Sequence, residues 1–353
     1  MKAAALALAL ALGAAGPAAA FRPLTPPAPE FPKGAAWLNA RGLSLARMRK
    51  RKAVVVAFLD PADFHSLRLL PVLESWFHRY ALSQLMVVAV LTPDLEIQKD
   101  PLWTRTQVER LGIDFPVVLD SDRALWDAYQ TRGWPDLFLV DRRGRLVYDH
   151  LGEGSYAVFE SQIREALGEL VDAEDLPPAV NPKEPPSRDC GPVSADIAMG
   201  GRAKSAPKDL DRDFALRRLL LTSARAGELA TRGKWTLEPD GLSLAQDNAR
   251  QGAYVRAVYL GAQAMAVLSP PPGGSSRFFV KLDDQWLYDG IQGRDVRFDD
   301  DGRSFVTVKS ERLYDLVRWA DKRPHELAVI PERRGSGVRG FSFADACLAT
   351  DLP

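Results

Sequence analysis

Two regions with different hydrophobic patterns make up the chain. In the first, continuous apolar runs alternate with stretches in which apolar residues recur every three or four positions. The continuous runs predict buried strands, and the longer spacing predicts amphipathic helices. Strands are predicted at 53–58, 85–91, 116–119, 137–140 and 146–148, and helices at 61–80, 104–111, 123–129 and 156–170. Alternation of this kind predicts an α/β domain with a central mixed sheet flanked by helices.

The start of the longest predicted helix is marked by its own residues. Asp60 is a suitable N-cap, and Pro61 suits the first helical position. Asp63 then falls in the first turn, where an acidic side chain is favoured by the helix dipole. The sequence therefore predicts that this helix begins at Pro61.

The second region has short segments of alternating apolar and polar residues, about ten residues apart, separated by turn residues. Strands are predicted at 254–260, 264–268, 277–282, 294–298, 304–308, 312–317, 326–330 and 339–343. Regular short strands with turns between them indicate an all-β sandwich. The pattern of residues 194–233 is ambiguous, and 214–221 fits a helix or a strand.

The N-terminus predicts export. Met1-Lys2 precedes an apolar run over 3–15, and Ala18-Ala19-Ala20 supplies a cleavage site, which together indicate a signal peptide over residues 1–20. We therefore expect a periplasmic or secreted bacterial protein with no transmembrane segment in the mature chain. The remaining residues divide into a Pro-rich leader at 21–35, the α/β domain at 36–171, a Pro-rich linker at 172–193 and the sandwich domain at 194–353.

Charge and cysteine content narrow the range of partners. The chain carries 46 basic and 46 acidic residues, so its overall charge gives no reason to expect nucleic acid or an anionic membrane as a partner. There are two cysteines, Cys190 and Cys347. In an exported protein an even count is compatible with one disulfide, and two separate buried thiols are the alternative.

Several short segments, in order, resemble a known family. In the first region they are 37–39, 69–73, 115–120, 125–129 and 133–135, and in the second 233–236, 281–283 and 311–318. They are similar to the redoxin/TlpA-like branch of the thioredoxin superfamily. In particular, they resemble the thioredoxin-like domain and following jelly-roll-like β-sandwich of DipZ-type proteins. The resemblance implies a thioredoxin fold for the first region, and the activity of the family is thiol–disulfide exchange.

The residues that carry that activity in the family are missing here. The resemblance puts the nucleophilic cysteine of the family's Cys-x-x-Cys motif at Asp63, the resolving cysteine at Ser66 and the cis-proline at Pro135. Aspartate and serine cannot form or exchange a disulfide. We therefore expect a degenerate active site, no cofactor and no enzymatic activity. If the chain is an enzyme after all, the resemblance implies a thiol–disulfide oxidoreductase.

No other pattern supplies a convincing catalytic site. Asp63, His65 and Ser66 have the residue types of a hydrolytic triad, but side chains so close in a helix diverge. The four histidines lack metal-ligand spacing, so no metal site is expected.

Two surfaces are candidates for binding. In the superfamily the backbone beside the cis-proline pairs with an extended peptide, so Phe64 and Trp134 are expected to flank a peptide groove next to Pro135. In the sandwich, Trp286 and Tyr288 follow a turn and are candidates for a ligand platform.

Three hypotheses remain open from the sequence. The first is a non-catalytic exported protein that binds a protein or peptide through the degenerate cleft. The second is a redoxin-type oxidoreductase or antioxidant protein that works with a partner's thiols or through Cys190 and Cys347. The third is an envelope protein that binds carbohydrate through the sandwich. The sequence does not indicate an oligomeric state.

Overall fold

The computed structural model describes residues 25–185, 192–199, 227, 229–319, 321 and 323–345. The expected signal peptide, both cysteines and the ambiguous stretch 214–221 lie outside the described residues.

The first domain is a six-stranded mixed sheet with helices on both faces. Its elements are β1 (Trp37–Leu38), α1 (Leu45–Met48), β2 (Ala53–Leu59), α2 (Phe64–Tyr80), β3 (Leu85–Leu91), α3 (Pro101–Arg110), β4 (Val117–Leu119), α4 (Ala124–Tyr129), β5 (Asp136–Val140), β6 (Leu146–Leu151) and α5 (Tyr156–Gly168). The strand order is β1-β4-β3-β2-β5-β6. β2 pairs in parallel with β3 and antiparallel with β5, which confirms the predicted mixed sheet.

Each face of this sheet carries its own apolar core. Val55 and Ala57 of β2 point toward α2 and α5, in a cluster that includes the stacked rings of Trp76 and Phe159. Val56 and Phe58 point to the other face, toward α1 and α4. β2 is buried along its whole length because both faces are covered, and this explains its continuous apolar sequence.

The predicted start of α2 was wrong by three residues. The helix begins at Phe64, and Asp63 is its N-cap, accepting a hydrogen bond from the Ser66 amide at 2.7 Å. Asp60 instead accepts a hydrogen bond from the Ala62 amide at 2.7 Å and closes the turn that leads into the helix. Two carboxylates compete as caps here, and the one nearer the apolar helical residues is used.

The leader contributes to the first domain. Ala28 and Phe31 are buried in the core on the α1 and α4 face. The Phe31 ring meets Trp37 edge-on, with centroids 5.2 Å apart. This part of the Pro-rich segment is therefore anchored to the domain through Ala28 and Phe31.

The second domain consists of two antiparallel sheets around a common core, as the pattern predicted. Its strands are β7 (Ile197–Ala198), β8 (Leu229–Arg232), β9 (Trp235–Glu238), β10 (Gly241–Leu244), β11 (Tyr254–Tyr259), β12 (Gln263–Ser269), β13 (Ser276–Leu282), β14 (Gln285–Trp286), β15 (Arg297–Phe298), β16 (Ser304–Val308), β17 (Arg312–Arg318), β18 (His325–Pro331) and β19 (Gly337–Ala344). One sheet has the order β17-β12-β19-β10-β9, with β7 added to β19, and the other has the order β15-β16-β13-β18-β11-β8, with β14 added to β13. Apolar side chains from both sheets form one cluster between them.

The two domains are packed against each other. Met265, Val267 and Leu313 of the sandwich lie in the same apolar cluster as α2 and α5 of the first domain. The Trp103 indole N–H donates to the Glu311 carbonyl at 2.9 Å, and both residues are buried. Among the described residues, no helix has the length and apolar character needed to cross a bilayer.

Candidate functional site: a cleft between the domains

The start of α2 holds a carboxylate where the family has its nucleophilic thiol. Asp63 is half-buried at the end of the loop that follows β2. Burial raises the pKa of Asp63 to about 6, and the nearby charge of Asp196 adds to the rise. His65 and the hydrogen bonds with Ser66 oppose the rise without cancelling it. The site therefore disfavours a negative charge even though it lies at a helix N-terminus.

His65 is directed to a loop of its own domain. Its Nδ1 lies 2.8 Å from Glu153 Oε1, and Arg68 Nη1 lies 3.5 Å from the other oxygen of Glu153. Burial alone would lower the pKa of His65, but the Glu153 hydrogen bond and the charges of Asp63, Glu153 and Asp196 outweigh it and raise the pKa. The acidic neighbourhood therefore favours the protonated form of His65.

Asp63, His65 and Ser66 do not form a hydrolytic arrangement. Ser66 is 1% exposed, and its hydroxyl accepts a hydrogen bond from the Asp60 amide at 3.1 Å. His65 pairs with Glu153 and not with Ser66. The serine hydroxyl fastens the loop to the helix and is not available for nucleophilic attack.

The structure corrects the expectation that Phe64 flanks a peptide groove. Phe64 is fully buried in the core between the sheet and α2. As the first residue of the helix it follows Asp63, and its side chain points inward. Phe64 therefore packs in the core beneath the start of α2 and offers no surface to a ligand.

Trp134 does lie at the surface of the site. The Trp134–Pro135 bond is cis, as the resemblance implied. The Trp134 ring packs against Trp126 with centroids 4.4 Å apart, and the Arg123 guanidinium lies over both rings. Among the described residues, no backbone hydrogen bond outside the regular elements involves Trp134. Its indole nitrogen is buried without a hydrogen-bond partner in that part of the chain.

The sandwich domain forms the opposite wall of the site. β7 and the β19 strand with which it pairs face the start of α2 and Trp134 across a cleft of about 350 Å³. The first domain lines it with Asp60, Ala62, Asp63, Asp94, Leu95 and Trp134. The sandwich lines it with Asp196, Ile197, Ala198, Met199, Pro239, Asp240, Val267, Arg339, Gly340, Phe341 and Ser342. The start of α2 is therefore one half of a composite cleft.

The floor of the cleft contains a deeply buried carboxyl group. Asp60 is 5% exposed. Burial raises the pKa of Asp60 to about 8, and the charges of Asp63 and Asp94 add to the rise, against hydrogen bonds from Ala62 and Gln98. In this environment Asp60 holds its proton at neutral pH.

Arg339 is surrounded by carboxylates. It is the one basic residue among the described residues that line the cleft. Its guanidinium pairs with Glu238, lies 3.6 Å from Asp240 Oδ1, and lies 3.4 Å from Glu311 Oε2. Three carboxylates thus balance this single charge, and the cleft as a whole is acidic. No group of three His, Cys, Asp or Glu side chains in the described part of the chain is arranged to hold a metal ion.

The second expected binding surface lies apart from this cleft. Trp286 is half-buried and packs against Phe279 with centroids 6.0 Å apart, while the Lys281 ammonium lies 4.4 Å from the centre of its ring. Tyr288 is 57% exposed. Neither residue lines the composite cleft, so a ligand platform at Trp286 and Tyr288 remains a prediction.

Sequence reasoning missed the sandwich half of the site. Asp196 and Arg339 are 143 positions apart in the numbering and lie more than 130 positions from Asp63. No local pattern relates them, because they are brought together by the pairing of β7 with β19 and by the packing of the domains. Asp60 is a second acid beside the motif in the sequence, but its position before Pro61 indicates only a helix cap.

The sheet order, the position of α2 and the cis bond before Pro135 define the first domain as thioredoxin-like, with Asp63 and Ser66 at the cysteine positions. Residues 204–344 match the family model described as Thioredoxin like C-terminal domain. DipZ of Mycobacterium tuberculosis is 28% identical over 228 residues, which cover 61% of this chain and 31% of DipZ. The chain is therefore a thioredoxin-like protein of the redoxin branch that resembles DipZ, and it spans about a third of the length of DipZ.

Two further relatives are similar over shorter stretches. Thiol-disulfide oxidoreductase YkuV of Bacillus subtilis is 27% identical over 146 residues, which cover 41% of this chain and 97% of YkuV. NHL repeat-containing protein 2 of Bos taurus is 32% identical over 128 residues, which cover 36% of this chain and 18% of that protein. The relatives thus include a protein named for thiol–disulfide chemistry.

Proposed function

We propose that this chain is a non-catalytic binding protein that holds an extended segment of a protein partner in the composite cleft. The observation that carries the proposal is the start of α2, where Asp63 and Ser66 occupy the cysteine positions and are engaged in holding the helix. A side chain that caps the helix and a hydroxyl that is 1% exposed have no sulfur chemistry to offer.

The binding part of the proposal rests on Trp134 and on the backbone next to the cis Pro135. Trp134 is at the cleft surface, and its backbone makes no hydrogen bond outside the regular elements of the described chain. An extended peptide satisfies such an edge by adding a strand. The aromatic ring beside it supplies apolar contact area.

The place of action in this proposal is the cell envelope or the medium. The N-terminal pattern of a charged residue, an apolar run and an alanine-rich site supports export. Immunoblotting tests this proposal. The chain is detected in periplasm, medium and cytoplasm from cells that express its full length, and we expect it in the periplasm or the medium. Retention of the uncleaved chain in the cytoplasm would contradict it.

A thiol–disulfide oxidoreductase is the second candidate, favoured by the similarity to YkuV. In this chain such an activity would have to use Cys190 and Cys347, since Asp63 and Ser66 replace the usual pair. Insulin-disulfide reduction by the wild type and by a Cys190→Ser/Cys347→Ser variant separates the candidates. We expect both proteins to match the protein-free rate, whereas turnover that the double variant loses would establish the oxidoreductase.

Binding is tested on an array of capped nonapeptides of varied sequence. We expect the wild-type chain to bind a subset of them and Trp134→Ala to lose most of that binding, because the variant removes the ring at the cleft surface. Phe298→Ala is the matched control, since Phe298 is an exposed aromatic residue outside the cleft. Equal binding by wild type and Trp134→Ala would exclude this cleft as the binding site.

A further inference from the structure

Carboxyl groups lie on both walls of the composite cleft. On the thioredoxin-like wall, Asp60 accepts hydrogen bonds from the Ala62 amide at 2.7 Å and from Gln98 Nε2 at 2.6 Å, both at Oδ1. Because burial raises the pKa of Asp60 to about 8, this group is neutral at pH 7, and Asp63, with a pKa of about 6, carries the charge of this wall.

The sandwich wall presents a second carboxylate at the surface. Asp196 immediately precedes β7 and is exposed. It accepts hydrogen bonds from the Ser342 hydroxyl at 3.0 Å and the Phe343 amide at 3.3 Å, which fix it beside the cleft. Its charge acts on both Asp63 and His65 across the cleft, so the two walls are electrostatically coupled.

The basic residue of this lining does not balance these groups. Arg339 is already paired with Glu238, Asp240 and Glu311. Asp63 and Asp196 are not among the ion-pair partners of Arg339, so their charges attract a cation to the cleft.

β7 provides a backbone edge for an extended ligand. It pairs with β19 on one side through Ile197 opposite Phe341 and Ala198 opposite Gly340. Within the described residues no strand pairs with its other side, and Ala198 is exposed. A third strand can add there, between β7 and the Trp134 edge. The cleft volume of about 350 Å³ is at the small end of the range of about 300–1,000 Å³ for ligand sites, which suits an extended segment.

We infer that the composite cleft recognises an extended peptide through a lysine or arginine side chain, whose cationic group binds between Asp63 on one wall and Asp196 on the other. This inference rests on the proposed function and adds the chemical class of the partner. The sandwich domain is then part of the recognition site, because it supplies one carboxylate and one strand edge.

Matched peptides test the inference. The probes are acetylated, amidated nonapeptides of serine and threonine with one central lysine, norleucine or glutamate, measured by fluorescence anisotropy at low ionic strength. We expect the lysine peptide to bind about tenfold more tightly than the norleucine peptide, and the glutamate peptide to bind more weakly than both. The lysine preference should fall as salt is added.

Variants on both walls locate the recognition. Asp63→Asn and Asp196→Asn should each reduce the preference for lysine over norleucine by at least about threefold. Asparagine keeps an oxygen for the helix cap at position 63 and for Ser342 at position 196. Glu165→Gln, an exposed carboxylate on α5 outside the cleft, is the control and should leave the preference unchanged.

The outcomes are distinct. Equal affinity for lysine and norleucine peptides, with both lost in Trp134→Ala, would overturn the cationic inference and leave the proposed peptide binding intact. A lysine preference that persists in both carboxylate variants would also overturn it, since the charge would be recognised elsewhere. No binding of any of the peptides would overturn it as well, and the peptide array then decides separately whether the cleft binds protein segments.

Discussion

At the start of α2, opposing effects act on the negative charge of the Asp63 carboxylate. The amide of Ser66 donates to Asp63, and helix N-termini stabilise anions. Burial and the charge of Asp196 act in the opposite direction and raise the pKa of Asp63 to about 6. The balance at this position is therefore against a thiolate as well as against a carboxylate.

The first prediction concerns a restored cysteine pair. In Asp63→Cys/Ser66→Cys, with both native cysteines replaced by serine, we expect the more accessible thiol to have a pKa at or above the ordinary value of about 8.5. Burial raises the pKa of a thiol as it does that of Asp63. Adding Asp196→Asn should lower the pKa, because it removes a nearby charge. Thiolate absorbance during a pH titration measures the thiol pKa with and without Asp196→Asn. A first thiol pKa well below 8 in the Asp63→Cys/Ser66→Cys variant would contradict this electrostatic description.

The second prediction concerns Asp60. Its pKa is about 8 when folded, against about 4 in an unfolded chain. Between these values the folded protein keeps a proton that the unfolded chain has lost, so the contribution of Asp60 to stability is full below pH of about 4 and is lost as the pH rises through about 8.

Asp60→Asn imitates the protonated form and removes this dependence. We expect the free energy of unfolding of the variant, relative to wild type, to increase by about 1 kcal/mol or more between pH 5 and pH 8. Urea unfolding at the two pH values measures it, with Glu165→Gln as the control. Parallel behaviour of Asp60→Asn and wild type would show that Asp60 titrates normally.

At the scale of elements, the sequence predicts the bounds of those strands that carry a clear apolar run or alternation within their own residues. The strands at Leu85–Leu91 and Ser304–Val308 have the predicted bounds, because a continuous apolar run or a strict alternation marks both ends. The prediction of a strand over 294–298 was wrong in part, since the strand covers only Arg297–Phe298. Its preceding residues turn toward β17, where Asp295 pairs with Arg312.

β7 could not have been predicted from the chain. It is two residues long and exists because Ile197 and Ala198 meet β19, more than 140 positions away. The thioredoxin-like half of the site was predictable as far as Asp63, Trp134 and Pro135. The sandwich half depends entirely on this long-range pairing.

The third prediction concerns the support of β7. A Cβ atom at Gly340 would lie 2.8 Å from the Ile197 carbonyl oxygen, so Gly340→Ala forces β7 away from β19. We expect a loss of about 1–3 kcal/mol in the free energy of unfolding and weaker peptide binding. Gly252→Ala is the matched control, because a Cβ there meets no atom within 4 Å. Equal free energies of unfolding for the two variants would contradict this prediction, because β7 would then move without loss of stability.

At the scale of the whole molecule, the packing of the domains holds the cleft together. Apolar residues of the sandwich join the core beneath α2, and the Trp103–Glu311 hydrogen bond closes the contact on one side. The Glu96 amide also donates to Asp240 Oδ2 at 2.8 Å, next to the acidic wall. The geometry of the cleft therefore depends on both domains being folded.

The fourth prediction tests this coupling. Trp103→Phe keeps an aromatic ring but leaves the Glu311 carbonyl without its donor, so we expect a loss of about 1 kcal/mol in the free energy of unfolding and weaker peptide binding. Trp286→Phe, which keeps a ring against Phe279 away from the domain contact, is the control. Unchanged stability and binding in Trp103→Phe would show that the contact is incidental.

One measurement combines binding and chemistry on the same ligand. The lysine nonapeptide is prepared with a neighbouring cysteine activated as a mixed disulfide with a chromophoric thiol, so that attack by a protein thiolate releases the chromophore. We expect saturable binding by anisotropy while chromophore release stays at the protein-free rate. Release at an enzymatic rate in the wild-type chain would contradict the proposal that this thioredoxin-like cleft binds without exchanging disulfides.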